Sequence, residues 1–301
     1  MGPTASGKTE FAVSLCKRFP CDIVSVDSAL VYRGMTIGTA KPDRDTLQRA
    51  PHRLIDMRDP ESSYSAGDFV RDARAAMEDI FAHGRIPLLV GGTMLYFRAL
   101  TEGIADLPGA DKAVRSAIDA KAAECGWPAV HGELQLVDPD AAERINPNDS
   151  QRIQRALEVY RVSGKALTAW QEEARATEDD INYLKIALLI EPRKLLHSRI
   201  EARLDAMVEA GFVDEVRGLR ARPGVTRDSP AMRAVGYRQF WNYLENDYSL
   251  EEARKRALYA TRQLAKRQFT WLRSEKDVLS VNPLEADAIG TISRYLAQYL
   301  G

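Results

Sequence analysis

Apolar and polar positions along the chain follow two regimes. Up to about residue 107, and again from about 181, short β-branched or apolar runs alternate with stretches of helical period. Between 108 and 180 only the helical period remains. Ile23-Val24-Ser25-Val26 and Ile86-Pro87-Leu88-Leu89-Val90 read as parallel strands buried on both faces. Tyr183–Ile190 reads as a return to strand and Val278–Val281 as a last strand. Helices are expected over Glu10–Phe19 and over Ser65–Ala82, where Phe69, Ala73, Ala76, Met77 and Ile80 recur before a stop at Gly84. In the middle stretch the pattern predicts helices over Asp111–Glu124 and Asn148–Ser163, the latter with Ile153, Leu157 and Tyr160 on one face. The polar run Gln171–Asp180 reads as an exposed loop. Leu195–Leu219 reads as a long helix broken at Gly211, Arg220–Ser229 as a loop, and Glu251 to Arg273 as the last long helix. The alternation predicts an α/β fold, a parallel sheet flanked by helices, with an α-helical insertion domain over 108–180 between core parts 1–107 and 181–301.

The first chemistry-bearing motif stands at the start. Gly2-Pro3-Thr4-Ala5-Ser6-Gly7-Lys8-Thr9 fits G-x-x-x-x-G-K-[ST], a phosphate-binding loop (P-loop) opening a helix. Glycines let successive backbone N–H groups turn inward, Lys8 adds a point charge, and the helix N-terminus favours an anion. Thr9 is placed to put its hydroxyl on Mg²⁺. A P-loop follows a buried strand, and only Met1 precedes this one, so that strand is expected upstream of Met1. The strand ending at Val90 continues into Gly91-Gly92-Thr93, where an NTP hydrolase would carry an Asp for Mg²⁺. The missing carboxylate argues against NTP hydrolysis; the glycines would admit a substrate close to the backbone, and Thr93 offers a neutral hydroxyl.

Composition narrows the class. The chain has 301 residues, 45% hydrophobic and 28% charged, which suits an ordinary globular protein. No apolar run approaches membrane-spanning length. Cys16, Cys21 and Cys125 are odd in number without metal spacing, the pattern of a reduced cytoplasmic protein. A net charge of −1 gives no global field for nucleic acid, so any RNA contact must come from local patches.

Three such places stand out. Asp27 ends the strand after the P-loop, where open α/β sheets bind ligands, and could act as a general base, ligate Mg²⁺ or merely cap the next turn. The last long helix carries seven basic residues and no acidic one from Arg254 to Arg273, with Lys255, Arg262, Lys266 and Arg273 on one stripe and Ala257, Ala260, Leu264 and Trp271 opposite. A polyanion would explain that stripe, as would a solvated face. Met232-Arg233-Ala234-Val235-Gly236-Tyr237-Arg238-Gln239 pairs two arginines with a Tyr, able to clamp phosphate and stack on a base, or simply to start a helix. Arg152 and Arg155, with Gln151 and Gln154, form a small basic patch on the insertion.

Together these segments resemble the tRNA dimethylallyltransferases, or tRNA isopentenyltransferases. The resemblance rests on the P-loop, on Ser25-Val26-Asp27-Ser28 with Val31-Tyr32-Arg33-Gly34-Met35 and Ile37-Gly38-Thr39-Ala40-Lys41-Pro42, and on Pro51-His52-Arg53-Leu54. Leu89-Val90-Gly91-Gly92-Thr93, Asn148-Asp149-Ser150-Gln151-Arg152, Val235-Gly236-Tyr237-Arg238-Gln239 and Thr261-Arg262-Gln263-Leu264-Ala265-Lys266-Arg267-Gln268 continue it in order to about Arg273. It implies transfer of a dimethylallyl group from dimethylallyl diphosphate to N6 of the adenosine immediately 3′ of the anticodon, in tRNAs reading codons that begin with U. It further implies Mg²⁺ as cofactor, the anticodon stem-loop as partner, and a cytoplasmic monomer. By carry-over, residues Gly2, Pro3, Thr4, Ala5, Ser6, Gly7, Lys8 and Thr9 bind the diphosphate, with Thr4 on its bridging oxygen and Arg233 holding it from the other side. Asp27 takes the N6 proton. Asp27, Ser28, Ala29, Leu30, Thr93, Arg115, Gln151, Arg152, Ile153, Gln154, Arg155, Arg238, Arg262 and Lys266 match positions that meet tRNA. The chain departs from the family at Leu30, where many members carry Gln and an aliphatic side chain offers no amide. Two other classes compete: a P-loop kinase using ATP, which leaves the basic helix unexplained, and a non-catalytic RNA-binding protein.

Overall fold

The computed structural model describes residues 1–175 and 181–300. They form two compact units, one of Met1–Phe97 with Tyr183–Gly301 and one of Arg98–Asn182. The first opens with α1 (Lys8–Cys16), β1 (Cys21–Val26), α2 (Arg44–Arg49), β2 (His52–Arg53), α3 (Ala66–Ala82), β3 (Ile86–Gly91) and the start of α4 (Met94–Thr101). The strands form a parallel sheet in the order β2-β1-β3. Central β1 buries Ile23, Val24 and Val26 completely, as a strand covered on both faces should. β3 is only half-buried along most of its length, where full burial was expected, and it stands last in this three-strand order. α3 starts at a reciprocal cap, Ser65 Oγ accepting from Asp68 N and Asp68 accepting from Ser65 N, and buries Phe69, Ala73, Met77 and Ile80.

The second unit is helical: α5 (Lys112–Cys125), α6 (Trp127–Val137), α7 (Pro139–Arg144), α8 (Ser150–Ser163) and α9 (Leu167–Arg175). Ile118, Val130, Leu134, Ile153 and Leu157 make its core. The unit begins about ten residues before the expected boundary at 108. The run expected as a loop from Gln171 is helical as far as Arg175, since Gln, Glu and Ala are good helix formers and no Gly or Pro interrupts them; residues 176–180 lie outside the described residues.

The chain then returns to the first unit with β4 (Lys185–Leu188), α10 (Arg193–Glu209), α11 (Phe212–Arg220), a 3₁₀ turn at Pro230–Arg233, α12 (Tyr237–Leu244), α13 (Leu250–Ser274), β5 (Val278–Val281) and α14 (Ala288–Leu300). The expected break at Gly211 separates α10 from α11, and Gly211 is left-handed there. β4 and β5 pair in parallel. Met1, just ahead of the P-loop, bonds to β4 in the manner of a ladder: its amino group donates to Ile186 O at 2.7 Å, and Leu188 N donates to Met1 O at 2.9 Å. Met35, Phe212, Tyr237, Phe240, Ala253 and Phe269 belong to the large core that fixes α10–α13 behind the P-loop.

Candidate active site

The P-loop is built as its sequence requires. Ala5 (φ 63°) and Gly7 (φ 86°) take the left-handed conformation that turns neighbouring N–H groups inward. Lys8 Nζ donates to Pro3 O at 2.7 Å, closing the loop over its own ammonium. Burial pulls the Lys8 pKa down to about 8; nearby Asp27 opposes the change and Arg203 adds to it. These three charged groups line one cavity of about 500 Å³, together with Thr4 and Thr9.

The opposite wall comes from the carboxyl ends of β1 and β3. Ser25 and Asp27 alternate onto one face of the chain. Ser25 Oγ is buried beside the cavity without a partner in the protein. Asp27 Oδ1 accepts from Ala29 N at 2.8 Å and Leu30 N at 3.3 Å. Asp27 is thus a turn cap through one oxygen, which fixes the carboxylate at the cavity it lines. Thr93 Oγ1 accepts from Ser28 N at 3.0 Å, joining the two strand ends. Ala29, Leu30 and Thr93 line the same cavity, and exposed Arg233 stands at its edge.

Two further groups complete the enclosure. Gln268 of α13, 7% exposed, accepts from Thr4 N at 2.9 Å and donates to Gly92 O at 2.8 Å, tying the P-loop to the end of β3. Arg203 of α10 is half-buried and donates to Thr39 O at 3.4 Å; burial lowers its pKa, and Asp27 acts against that change. Asp27 is the one carboxylate lining the cavity among the described residues. One anion-binding loop, two half-buried cations and a single fixed carboxylate can hold a polyphosphate and accept a proton beside it.

A family model described as IPP transferase matches residues 30–275. The chain belongs to the IPP transferase family. It is 55% identical over 302 residues to the tRNA dimethylallyltransferase of Thiobacillus denitrificans (strain ATCC 25259 / T1), covering 100% of this chain and 96% of that protein. Among solved structures, the tRNA isopentenylpyrophosphate transferase of Bacillus halodurans is similar at 37% identity and TM-score 0.72, over 99% of this chain and 94% of that one. A eukaryotic dimethylallyltransferase acting on tRNA is similar at 26% identity and TM-score 0.82, over 98% of this chain and 76% of that one.

Several expectations for this IPP transferase need correction. The basic face of α13 is not uncompensated: Arg254 pairs with Asp205 at 2.6 Å, Arg262 with Glu201 at 3.0 Å, Lys255 with Glu251 at 2.7 Å and Arg256 with Glu252 at 2.6 Å. The acids sit on α10 and in the first turn of α13, outside the window that looked purely basic. Lys266, Arg267 and Arg273 are exposed and have no carboxylate partner among the described residues, and Arg267 borders the cavity. Tyr237 does not stack on a base. It is fully buried, donates its hydroxyl to Glu215 at 2.6 Å, and is held protonated by burial and by that carboxylate. Arg238 is exposed and borders a separate depression with Tyr248 and Arg256. The glycines at the end of β3 serve the protein's own packing: a Cβ on Gly91 would lie 1.9 Å from Val26 O, and one on Gly92 2.5 Å from Gln268 Nε2.

In the helical unit, Arg115 clasps the buried Glu158 with two bonds of 2.7 and 3.0 Å, and Arg155 bonds the same carboxylate at 2.7 Å. Gln154 Nε2 donates to Asp119 at 2.6 Å, Arg152 pairs with Asp149 at 2.5 Å, and Ile153 is a core residue with no exposure. Gln151 and Arg152 are the members of this group that face solvent. Arg203, which lines the cavity, lies outside every sequence motif. Its signal was the pair Arg199 and Arg203, one turn apart on a helix, which place two cations on one side of α10. Both border a second opening onto Gly7, Lys8 and Thr9.

Proposed function

We propose that this IPP transferase moves a dimethylallyl group from dimethylallyl diphosphate to N6 of the adenosine immediately 3′ of the anticodon, in tRNAs reading codons that begin with U. The observation that carries this reading is the single cavity in which the P-loop, Lys8 and Arg203 face the fixed carboxylate of Asp27. A new N6–C1 bond forms as the C1–oxygen bond of the donor breaks. The bonding electrons leave with diphosphate, and the N6 proton passes to Asp27. Charge grows on the leaving group, where loop N–H groups, Lys8 and Arg203 are arranged before reaction; this preorganised field is the main catalytic contribution. Thr4, its N–H fixed by Gln268, presents its side chain to the bridging oxygen, and Arg233 meets the diphosphate from the rim.

The donor set also fits Mg²⁺ that arrives with diphosphate. Thr9 offers a hydroxyl at the cavity, and the ion takes oxygen ligands while keeping several waters. No group of three His, Cys, Asp or Glu residues able to hold a metal occurs among the described residues, so Thr9 and the diphosphate oxygens would be its holders. When bound, the ion neutralises part of the diphosphate charge. No Asp stands where an NTP hydrolase needs one, and none is needed, because no phosphoryl bond breaks.

The acceptor adenine must leave its stack to reach Asp27. Ser28, Ala29, Leu30 and Thr93 border the place it would enter. Lys266, Arg267 and Arg273 on α13, and Gln151 and Arg152 on the helical unit, supply surface contacts to the anticodon stem-loop. No helix of the described residues is long and apolar enough to cross a membrane; we place the protein in the cytoplasm, acting as a monomer. Incubation with labelled dimethylallyl diphosphate and an anticodon stem-loop tests the reading. Label on the adenosine N6 with equimolar diphosphate release is the expected result. Stem-loop binding with no transfer would leave only an RNA-binding protein, and ADP release from ATP would favour a kinase.

A further inference from the structure

The loop of residues 36–40 forms part of the cavity wall and carries no charged side chain toward it. Its shape is fixed from behind. Glu215 of α11 accepts from Thr36 N at 2.8 Å, Ile37 N at 2.7 Å and Gly38 N at 3.1 Å, and from the Tyr237 hydroxyl at 2.6 Å. Three successive N–H groups converging on one point form the kind of concavity that binds anions, here filled by the protein's own carboxylate. Gly38 is pressed flat on the same support: a Cβ there would lie 2.1 Å from the Phe212 ring. On its other side the loop presents the Thr39 carbonyl to Arg203.

We infer that Glu215 is a positioning residue for the diphosphate donor, acting through the 36–40 loop on Arg203. The inference rests on the function proposed above. Arg203 forms no ion pair among the described residues, and its hydrogen bond there goes to the Thr39 carbonyl, at 3.4 Å. A glutamine at 215 keeps the size but not the acceptor capacity. Both carboxylate oxygens accept two bonds each, whereas an amide has one oxygen and an NH₂ that would meet N–H donors. One side of the cradle would open, and Arg203 would lose its fixed anchor.

A double-mutant cycle on inorganic pyrophosphate affinity provides the test, with Glu215→Gln, Arg203→Lys and the pair, measured by calorimetry. Each single change should weaken binding by roughly tenfold, and the pair should be no weaker than Arg203→Lys alone within about twofold. Affinity for an anticodon stem-loop should stay within about twofold throughout. Losses that multiply, or an unchanged pyrophosphate affinity in Glu215→Gln, would overturn the inference. If Glu215→Gln does not fold, Gly38→Ala takes its place, since it shifts the same loop off Phe212 and must show the same coupling to Arg203. Wild-type protein that binds no pyrophosphate would instead remove the proposed function.

Discussion

Replacing Lys8 with Met should make the donor-free protein more stable while removing its hold on diphosphate. Burial lowers the Lys8 pKa from 10.5 to about 8, so keeping this ammonium charged in the fold costs about 3 kcal/mol near pH 7, at ~1.36 kcal/mol per pH unit. Loss of the 2.7 Å bond to Pro3 O offsets about 1 kcal/mol. The net gain for Lys8→Met is therefore about 2 kcal/mol, or roughly 3 °C in Tm for a chain of this size. Between pH 8 and 10.5 the unfolded chain binds more protons at Lys8 than the folded one, so wild-type stability rises with pH across that window. The advantage of the variant should be complete below about pH 8 and gone near 10.5. Urea unfolding of donor-free wild type and variant at both ends of the window measures the difference, and pyrophosphate calorimetry at the lower pH follows binding. A variant less stable than wild type at both ends, or a gap independent of pH, would refute the assignment of Lys8 as a buried, destabilising charge held for its ligand.

Asp27→Asn should lower single-turnover prenyl transfer by roughly 10²–10⁴-fold with stem-loop affinity little changed; rescue by excess Mg²⁺ would make Asp27 a metal ligand instead. Changing Lys266, Arg267 and Arg273 to Ala should flatten the salt dependence of tRNA binding, by up to ~1 in slope per lost phosphate contact. The same changes at Lys255 and Arg256 should do much less, because Glu251 and Glu252 already neutralise them, and equal effects from the two sets would refute the distinction. Glu158→Gln should destabilise the helical unit by about 2–3 kcal/mol, allowing for the partial exposure of both arginines. Burial opposes ionisation of Glu158, but Arg115 and Arg155 hold its pKa below the ordinary value. Its contribution should be present at neutral pH and fall away in acid, as unfolding followed against pH would show.

The local signals in this chain are those whose cause is local. A P-loop is a backbone curl set by Ala5-Ser6-Gly7 and a helix start, so residues 2–9 were readable in order. The buried strand at Ile23–Val26, the capped helix after Ser65 and the break at Gly211 follow from side-chain period, cap chemistry and glycine's freedom at positive φ. Asp27 was placed by its position at a strand end. What the pattern left open was whatever depends on a partner distant in sequence. Arg262 and Arg254 look uncompensated until α10 brings Glu201 and Asp205 beside them. Arg115 and Arg155 look like free cations until α5 and α8 enclose Glu158. Tyr237 looks like a stacking surface until its hydroxyl reaches Glu215 and Phe212 covers its ring. Arg203 carries no motif of its own and Gln268 stands in a motif that gives no sign of its contacts, yet both line the cavity with Lys8 because α10 and α13 pack on one core behind the P-loop. A local rule can read conformation from neighbouring residues. Charge compensation and burial depend on which side chains the fold brings together, and only the tertiary structure decides that.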